Sequence, residues 1–129
     1  MKVLNFEDSV YKANAIRKVL NQCGVAKIEL VSNVEDGLQM LKNAEDTGDP
    51  FDLIITDMHY PMKQEAVSDT EAGEKLVQLL QEQGKQTKVI VCSSRNMKLP
   101  GVYGCIWYSE ISDWEEELCD LVREMEKNR

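Results

Sequence analysis

The sequence has few of the residues on which several common functions depend. It contains one histidine, His59, and 15 basic side chains against 23 acidic ones, which gives a net charge of −8 over 129 residues. Phosphate-backbone binding needs clustered lysine and arginine, so this balance argues against nucleic acid as a partner. Zinc centres built on several histidines are excluded, and nucleophilic catalysis through a histidine is excluded unless His59 provides it.

Long apolar runs and closely spaced cysteines are also missing. No apolar stretch approaches the ~20 residues of a transmembrane helix, and acidic residues interrupt the N-terminal run before a signal-peptide core could form. We therefore expect a cytoplasmic protein without membrane insertion. The four cysteines show no C-x-x-C spacing and are expected to be reduced, mostly buried thiols: Cys23, Cys92, Cys105 and Cys119.

Apolar residues alternate along the chain between strand spacing and helix spacing. The expected strands are 2–6, 26–31, 53–56, 88–92 and 103–108. The expected amphipathic helices are 10–23, 34–44, 76–84 and 114–125. This order predicts right-handed βαβ units and a parallel sheet covered on both faces. Because the length suits one domain and no linker or repeat is evident, we expect a single α/β domain over residues 1–129.

Acidic and hydroxyl side chains follow three of the expected strands. Glu7 and Asp8 end the first strand, Asp57 ends the third and Ser93 ends the fourth. Ligands of open parallel sheets bind at the carboxyl ends of the strands, so these side chains are expected to converge. Converging carboxylates need a raised pKa or a cation, and oxygen ligands alone favour Mg²⁺. The alternative is that each acid is solvated or caps the following helix.

Three segments resemble the receiver domain of two-component response regulators. They are Lys2–Ser9, with its acidic pair, Phe51–Pro61, with its D-x-x-x-P loop, and Val89–Ser94, with its terminal hydroxyl. The resemblance extends over nearly the whole chain. It implies a stand-alone receiver with a flavodoxin-like (βα)5 sandwich and a five-stranded parallel sheet of order 2-1-3-4-5.

The same resemblance implies a role for each site residue. Asp57 would accept a phosphoryl group from a histidine kinase or phosphotransfer protein, and Ser93 would be the switch hydroxyl. The implied Mg²⁺ ligands are Glu7, Asp8, Asp57 and the backbone carbonyl of His59. Such a domain changes its contacts with a downstream protein partner, and it is not an enzyme beyond its own phosphoryl transfer.

The chain departs from the family at the lysine expected to end the fifth strand. Tyr108 stands at that position, and no lysine occurs between Lys98 and Lys127. A tyrosine hydroxyl has no positive charge, and the sequence offers only Arg95 and Lys98 as weak substitutes from a loop. Two alternatives to a phosphorylated receiver stay open. One is a pseudo-receiver that binds proteins without phosphorylation, and the other is a metal-dependent hydrolase using the same acids.

Two segments also differ in length from the family pattern. A polar insertion at residues 63–72 precedes Gly73, and it is expected to be either a disordered surface loop or a lid that contacts a partner. Only fourteen residues separate Ser93 from Tyr108. This spacing predicts a shortened fourth-helix region, with a turn around residues 96–101.

Overall fold

Seven strands form two sheets in the computed structural model, which describes residues 1–128. In chain order they are β1 (Lys2–Phe6), β2 (Lys27–Val31), β3 (Leu53–Thr56), β4 (Tyr60–Pro61), β5 (Ser68–Asp69), β6 (Lys88–Ser93) and β7 (Gly104–Trp107). Five of them form a parallel sheet in the order β2-β1-β3-β6-β7, while β4 and β5 pair antiparallel as a separate hairpin. The predicted flavodoxin-like strand order is therefore confirmed.

Within residues 1–128, four helices cover the two faces of the parallel sheet. They are α1 (Val10–Gln22), α2 (Val34–Asp46), α3 (Ala72–Glu82) and α4 (Trp114–Lys127). Apolar side chains of α1 and α4 share one buried cluster, and those of α2 and α3 share the other. Alternate residues of β1 and β3 enter opposite clusters, as expected for strands that are buried on both faces. Over residues 1–128, none of the helices combines the length and hydropathy that a membrane span requires.

For the two segments of unusual length, the prediction from the sequence agrees with the structure in one case and only in part in the other. Between β6 and β7 the described chain forms turns and no helix, which confirms the shortened fourth-helix region. The insertion is not a disordered loop, because β5 in its second half pairs with Tyr60 and Pro61 of β4. Tyr60 is fully buried and anchors this hairpin against the α2–α3 cluster.

The cysteines correct the expectation of four reduced thiols. Cys23, at the end of α1, and Cys119, on α4, form a disulfide with a Cα–Cα distance of 5.8 Å. The two helices lie side by side on the same face of the sheet, which brings together residues that are 96 positions apart in the chain. Spacing along the sequence cannot show such a pairing. Cys92 and Cys105 are free thiols, as predicted.

Candidate functional site

Three carboxylates meet at the carboxyl ends of β1 and β3. Glu7, Asp8 and Asp57 each place an oxygen within 4.8 Å of the others. Glu7 is only 2% exposed, Asp57 is partly buried and Asp8 is exposed. These are the three acids predicted from the sequence to converge at the carboxyl ends of the strands, and they line an open cleft of about 920 Å³ together with His59 and Tyr108.

The site also contains a cation that the sequence analysis missed. Lys12, in the first turn of α1, places Nζ 3.0 Å from Glu7 Oε1 and 3.3 Å from Asp57 Oδ1. The same ammonium donates a hydrogen bond of 2.6 Å to the backbone carbonyl of Cys92 on β6. Lys12 precedes Ile16 and Val19 by four and seven residues on the buried face of α1. A lysine in an otherwise apolar stripe was the available signal.

Burial and charge act together on the Glu7–Lys12 pair. Burial raises the pKa of Glu7 above its ordinary value and the charge of Asp57 adds to this, while Lys12 opposes it. Burial alone would lower the pKa of Lys12, but the carboxylates of Glu7 and Asp57 outweigh burial and raise it. The two carboxylates therefore favour the charged ammonium form of Lys12. Glu7 Oε1 is buried, and within residues 1–128 the Lys12 ammonium pairs with it at 3.0 Å.

The donor set suits a hard divalent cation. The carboxylates of Glu7, Asp8 and Asp57 supply only oxygen atoms, which Mg²⁺ prefers. Asp8 is exposed and forms no ion pair within residues 1–128. Asp57 Oδ1 accepts a hydrogen bond of 2.7 Å from Met58 N, and the same oxygen contacts Lys12 Nζ. The Asp8 side of the cluster is therefore accessible to an ion.

Tyr108, directly after β7, lines the cleft that holds the carboxylates, and on the β6 side the residue that lines this cleft is Ser94, which follows the buried Ser93. The Ser93 hydroxyl is buried and accepts a hydrogen bond of 3.1 Å from Arg95 N, so its own proton is available to another acceptor. The Tyr108 ring packs against Trp114 with centroids 4.9 Å apart. Its centroid lies 5.2 Å from Lys12 Nζ. The position of the expected lysine thus holds an aromatic ring beside a lysine from another element.

Arg95 does not replace the missing lysine. Its guanidinium donates to the carbonyl of Thr70 at 2.9 Å and lies 3.6 Å from the carboxylate of Glu71. Lys98 is exposed and forms no ion pair among the described residues. Within residues 1–128, Lys12 is the cation that pairs with these acids.

Residues of α3 and of the hairpin, together with Thr56, fix the position of the backbone around Asp57. The Thr56 hydroxyl contacts the Asp57 carbonyl and the Tyr60 hydroxyl, each at 2.7 Å. Gly73, near the start of α3, lies against the same carbonyl, and a Cβ added there would come within 2.3 Å of Asp57 O. Glycine is therefore required for this close approach.

Gly73→Ala is expected to destabilise the protein by about 1–3 kcal/mol, because the new methyl group forces the Asp57 backbone aside. Helix propensity acts in the opposite direction, by up to about 1 kcal/mol in favour of alanine. Urea unfolding measures the change, with Gln78→Ala on the exposed face of α3 as the control. Equal or greater stability of Gly73→Ala would contradict the close approach.

Comparison with solved structures identifies the fold. The receiver domain of Francisella response regulator 1452 superposes with a TM-score of 0.73 at 18% identity, covering 99% of this chain and 98% of that chain. The N-terminal domain of a response regulator/sensory box/GGDEF protein from Carboxydothermus hydrogenoformans gives 0.69 at 19% identity, covering 99% and 95%. The chemotaxis response regulator CheY4 of Vibrio cholerae gives 0.66 at 20% identity, covering 96% and 97%.

No family model and no curated protein matches the sequence. The likeness to the solved receivers, at these identities, is one of fold.

Proposed function

We propose that this protein, which has the fold of response-regulator receiver domains, accepts a phosphoryl group on Asp57 from a histidine kinase or phosphotransfer protein. The observation on which this rests is the convergence of Glu7, Asp8 and Asp57 within 4.8 Å at the carboxyl ends of β1 and β3. Ligands of parallel α/β sheets bind at this edge, and partly buried carboxylates there are suited to phosphoryl chemistry.

The proposed reaction uses the Asp57 carboxylate as the nucleophile. One of its oxygens attacks phosphorus, the phosphorus–nitrogen bond to the donor histidine breaks, and the imidazole leaves with the bonding electrons. The product is an acyl phosphate on Asp57. The Ser93 hydroxyl would then donate a hydrogen bond to a phosphoryl oxygen, since among residues 1–128 this oxygen accepts a hydrogen bond from Arg95 N and donates none. The protein is thus a signalling domain rather than an enzyme with a separate substrate.

The residues at this edge would also hold Mg²⁺. Asp8, Asp57 and the backbone carbonyl of His59 would be its ligands, with Glu7 in the buried position behind them. The bound ion would neutralise charge on the transferring group. Asp8 holds the most accessible carboxylate of the three, so it would form the outer side of this site.

A change at Ser93 would reach the surface through Arg95. The Arg95 backbone donates to the Ser93 hydroxyl, and its side chain contacts Thr70 and Glu71 after the hairpin. Movement of Ser93 toward a phosphoryl group would therefore shift the 63–72 insertion and change the surface that a downstream protein partner contacts. We propose that this signalling takes place in the cytoplasm, where the Cys23–Cys119 pair would be reduced.

Acetyl phosphate and Mg²⁺ are expected to add one phosphoryl group to the protein, measured by intact mass. Asp57→Asn should abolish the adduct, because an amide is not a comparable nucleophile. Asp69→Asn, a change to an acid of the hairpin, should leave the adduct unchanged. Absence of an adduct on the wild-type chain, or an adduct that persists in Asp57→Asn, would refute phosphorylation at this site.

A second candidate function is a pseudo-receiver that binds its partner without phosphorylation. The absence of a lysine at the end of β7 favours it, because Tyr108 cannot form an ion pair with a phosphoryl group. This candidate predicts equal partner affinity for the wild-type chain and Asp57→Asn, together with no adduct from acetyl phosphate. Loss of partner binding in Asp57→Asn would count against it.

A further inference from the structure

A lysine from a helix occupies the acidic site, where the last strand of the sheet provides none. Lys12 Nζ contacts groups at the ends of three strands: Glu7 after β1, Asp57 after β3 and the carbonyl of Cys92 on β6. We propose that Lys12 supplies the positive charge that pairs with the phosphoryl group on Asp57, in place of a lysine at the end of β7. This inference rests on the proposed phosphoryl transfer.

The environment of Lys12 indicates a fixed functional group rather than a solvated side chain. The side chain is 9% exposed, and its ammonium is held on one side by the 2.6 Å hydrogen bond to Cys92 O. The Tyr108 ring lies beside it, 5.2 Å away at the centroid. Burying a lysine is costly unless the charge is paired, and here two carboxylates pair it. The geometry therefore fixes one positive charge next to Asp57.

The position of the ammonium separates it from the side of the site that a metal would use. Lys12 contacts Asp57 Oδ1 and Glu7, and it forms no ion pair with the exposed Asp8. Its hydrogen bond to Cys92 O places it on the β6 side, where the next residue is Ser93. A phosphoryl group between Asp57 and Ser93 would thus meet Lys12, while Asp8 remains for Mg²⁺.

The net charge of the site agrees with separate positions for Mg²⁺, next to Asp8, and for Lys12, on the β6 side. Three carboxylates against one ammonium leave two negative charges, which one divalent cation neutralises. Phosphorylation then replaces the Asp57 carboxylate with a group of higher negative charge. Lys12 would exchange its contact with Asp57 Oδ1 for a phosphoryl oxygen and keep Cys92 O as its second partner.

The test compares wild type, Lys12→Met and Lys12→Met/Tyr108→Lys. At saturating Mg²⁺, Lys12→Met is expected to form the acetyl phosphate adduct about 100-fold more slowly, the typical effect of removing one charge-stabilising donor. Tyr108→Lys in the same background returns a lysine to the end of β7 beside the vacated position, and it is expected to recover at least about ten-fold of the rate. A lysine with only a structural role would give no such recovery.

Magnesium titration of the unphosphorylated chain gives a readout that does not depend on turnover. Removing a positive charge close to the carboxylates is expected to tighten Mg²⁺ binding by about ten-fold in Lys12→Met. Glu7→Gln/Lys12→Met leaves no buried unpaired charge and provides the folded reference for the rate comparison. Lys75→Met, which removes an exposed ion-paired lysine of α3, should change neither the rate nor the Mg²⁺ affinity.

The outcomes separate this inference from the proposed function. Absence of an adduct on the wild-type chain refutes the proposed phosphoryl transfer, and with it the pairing of Lys12 with a phosphoryl group. An adduct that forms at the wild-type rate in Lys12→Met and in Glu7→Gln/Lys12→Met overturns the role of Lys12 alone. So does an Mg²⁺ affinity that is unchanged in Lys12→Met.

Discussion

Replacing Lys12 by methionine is expected to lower the free energy of unfolding by about 3 kcal/mol. The side chains of Glu7 and Lys12 are 1% and 9% exposed, so the substitution would leave a desolvated carboxylate without its cation. Methionine retains most of the volume of lysine, which keeps the loss of packing small. Urea unfolding should show a lower midpoint at an unchanged slope, and the melting temperature should fall by roughly 10 °C.

Removing both charges should restore most of this stability. Glu7→Gln/Lys12→Met leaves no unpaired buried charge at this position, and the double-mutant cycle should give a coupling of about 2 kcal/mol or more. Lys75→Met, which breaks an exposed ion pair on α3, should leave the unfolding midpoint unchanged. If Lys12→Met were as stable as Lys75→Met, the buried ion pair would not exist in solution.

Reduction of the Cys23–Cys119 disulfide is expected to cost about 3–4 kcal/mol, because it releases a long loop in the unfolded chain. The bridge joins residues 96 positions apart and ties α1 to α4 on one face of the sheet. Urea unfolding with and without dithiothreitol measures the difference. In a reducing compartment the protein would lack this contribution.

Two serine substitutions isolate the effect of the bridge. In Cys23→Ser the unfolding midpoint should no longer depend on dithiothreitol, whereas in Cys105→Ser it should shift as in the wild type, since Cys105 is a free thiol. Each variant is compared with itself, so any change in packing cancels. Alkylation of all four cysteines in the unreduced, unfolded protein would show that the bridge does not form.

The order of the elements could be predicted from the sequence because hydrophobic spacing reports burial directly. Leu53–Thr56 is a continuous β-type run and is buried throughout, and the apolar stripes of α1 and α4 face the core as expected. The hairpin was not predicted. Each of its strands has only two residues, and both residues of β5 are polar. Segments this short show no alternation of apolar and polar residues from which a strand could be predicted.

The acids of the site could be predicted and their cation could not. Glu7, Asp8 and Asp57 directly follow strands, so the sheet alone brings them together. Lys12 reaches them from the side of α1, and its direction depends on helix packing rather than on strand register. The disulfide could not be predicted for the same reason, because the contact between α1 and α4 has no local signature in the chain.

Helix α1 also adds the field of its own backbone to the acidic edge. Its first turn begins directly behind Glu7 and Asp8 and contains no acidic side chain, so the partial positive charge of the helix end, about half an elementary charge, is directed at the carboxylates beside Lys12. The ammonium and the aligned peptide dipoles depend on the same few residues being helical. Unwinding that first turn would remove both, and the strand ends would keep three carboxylates that no charge in the described chain balances.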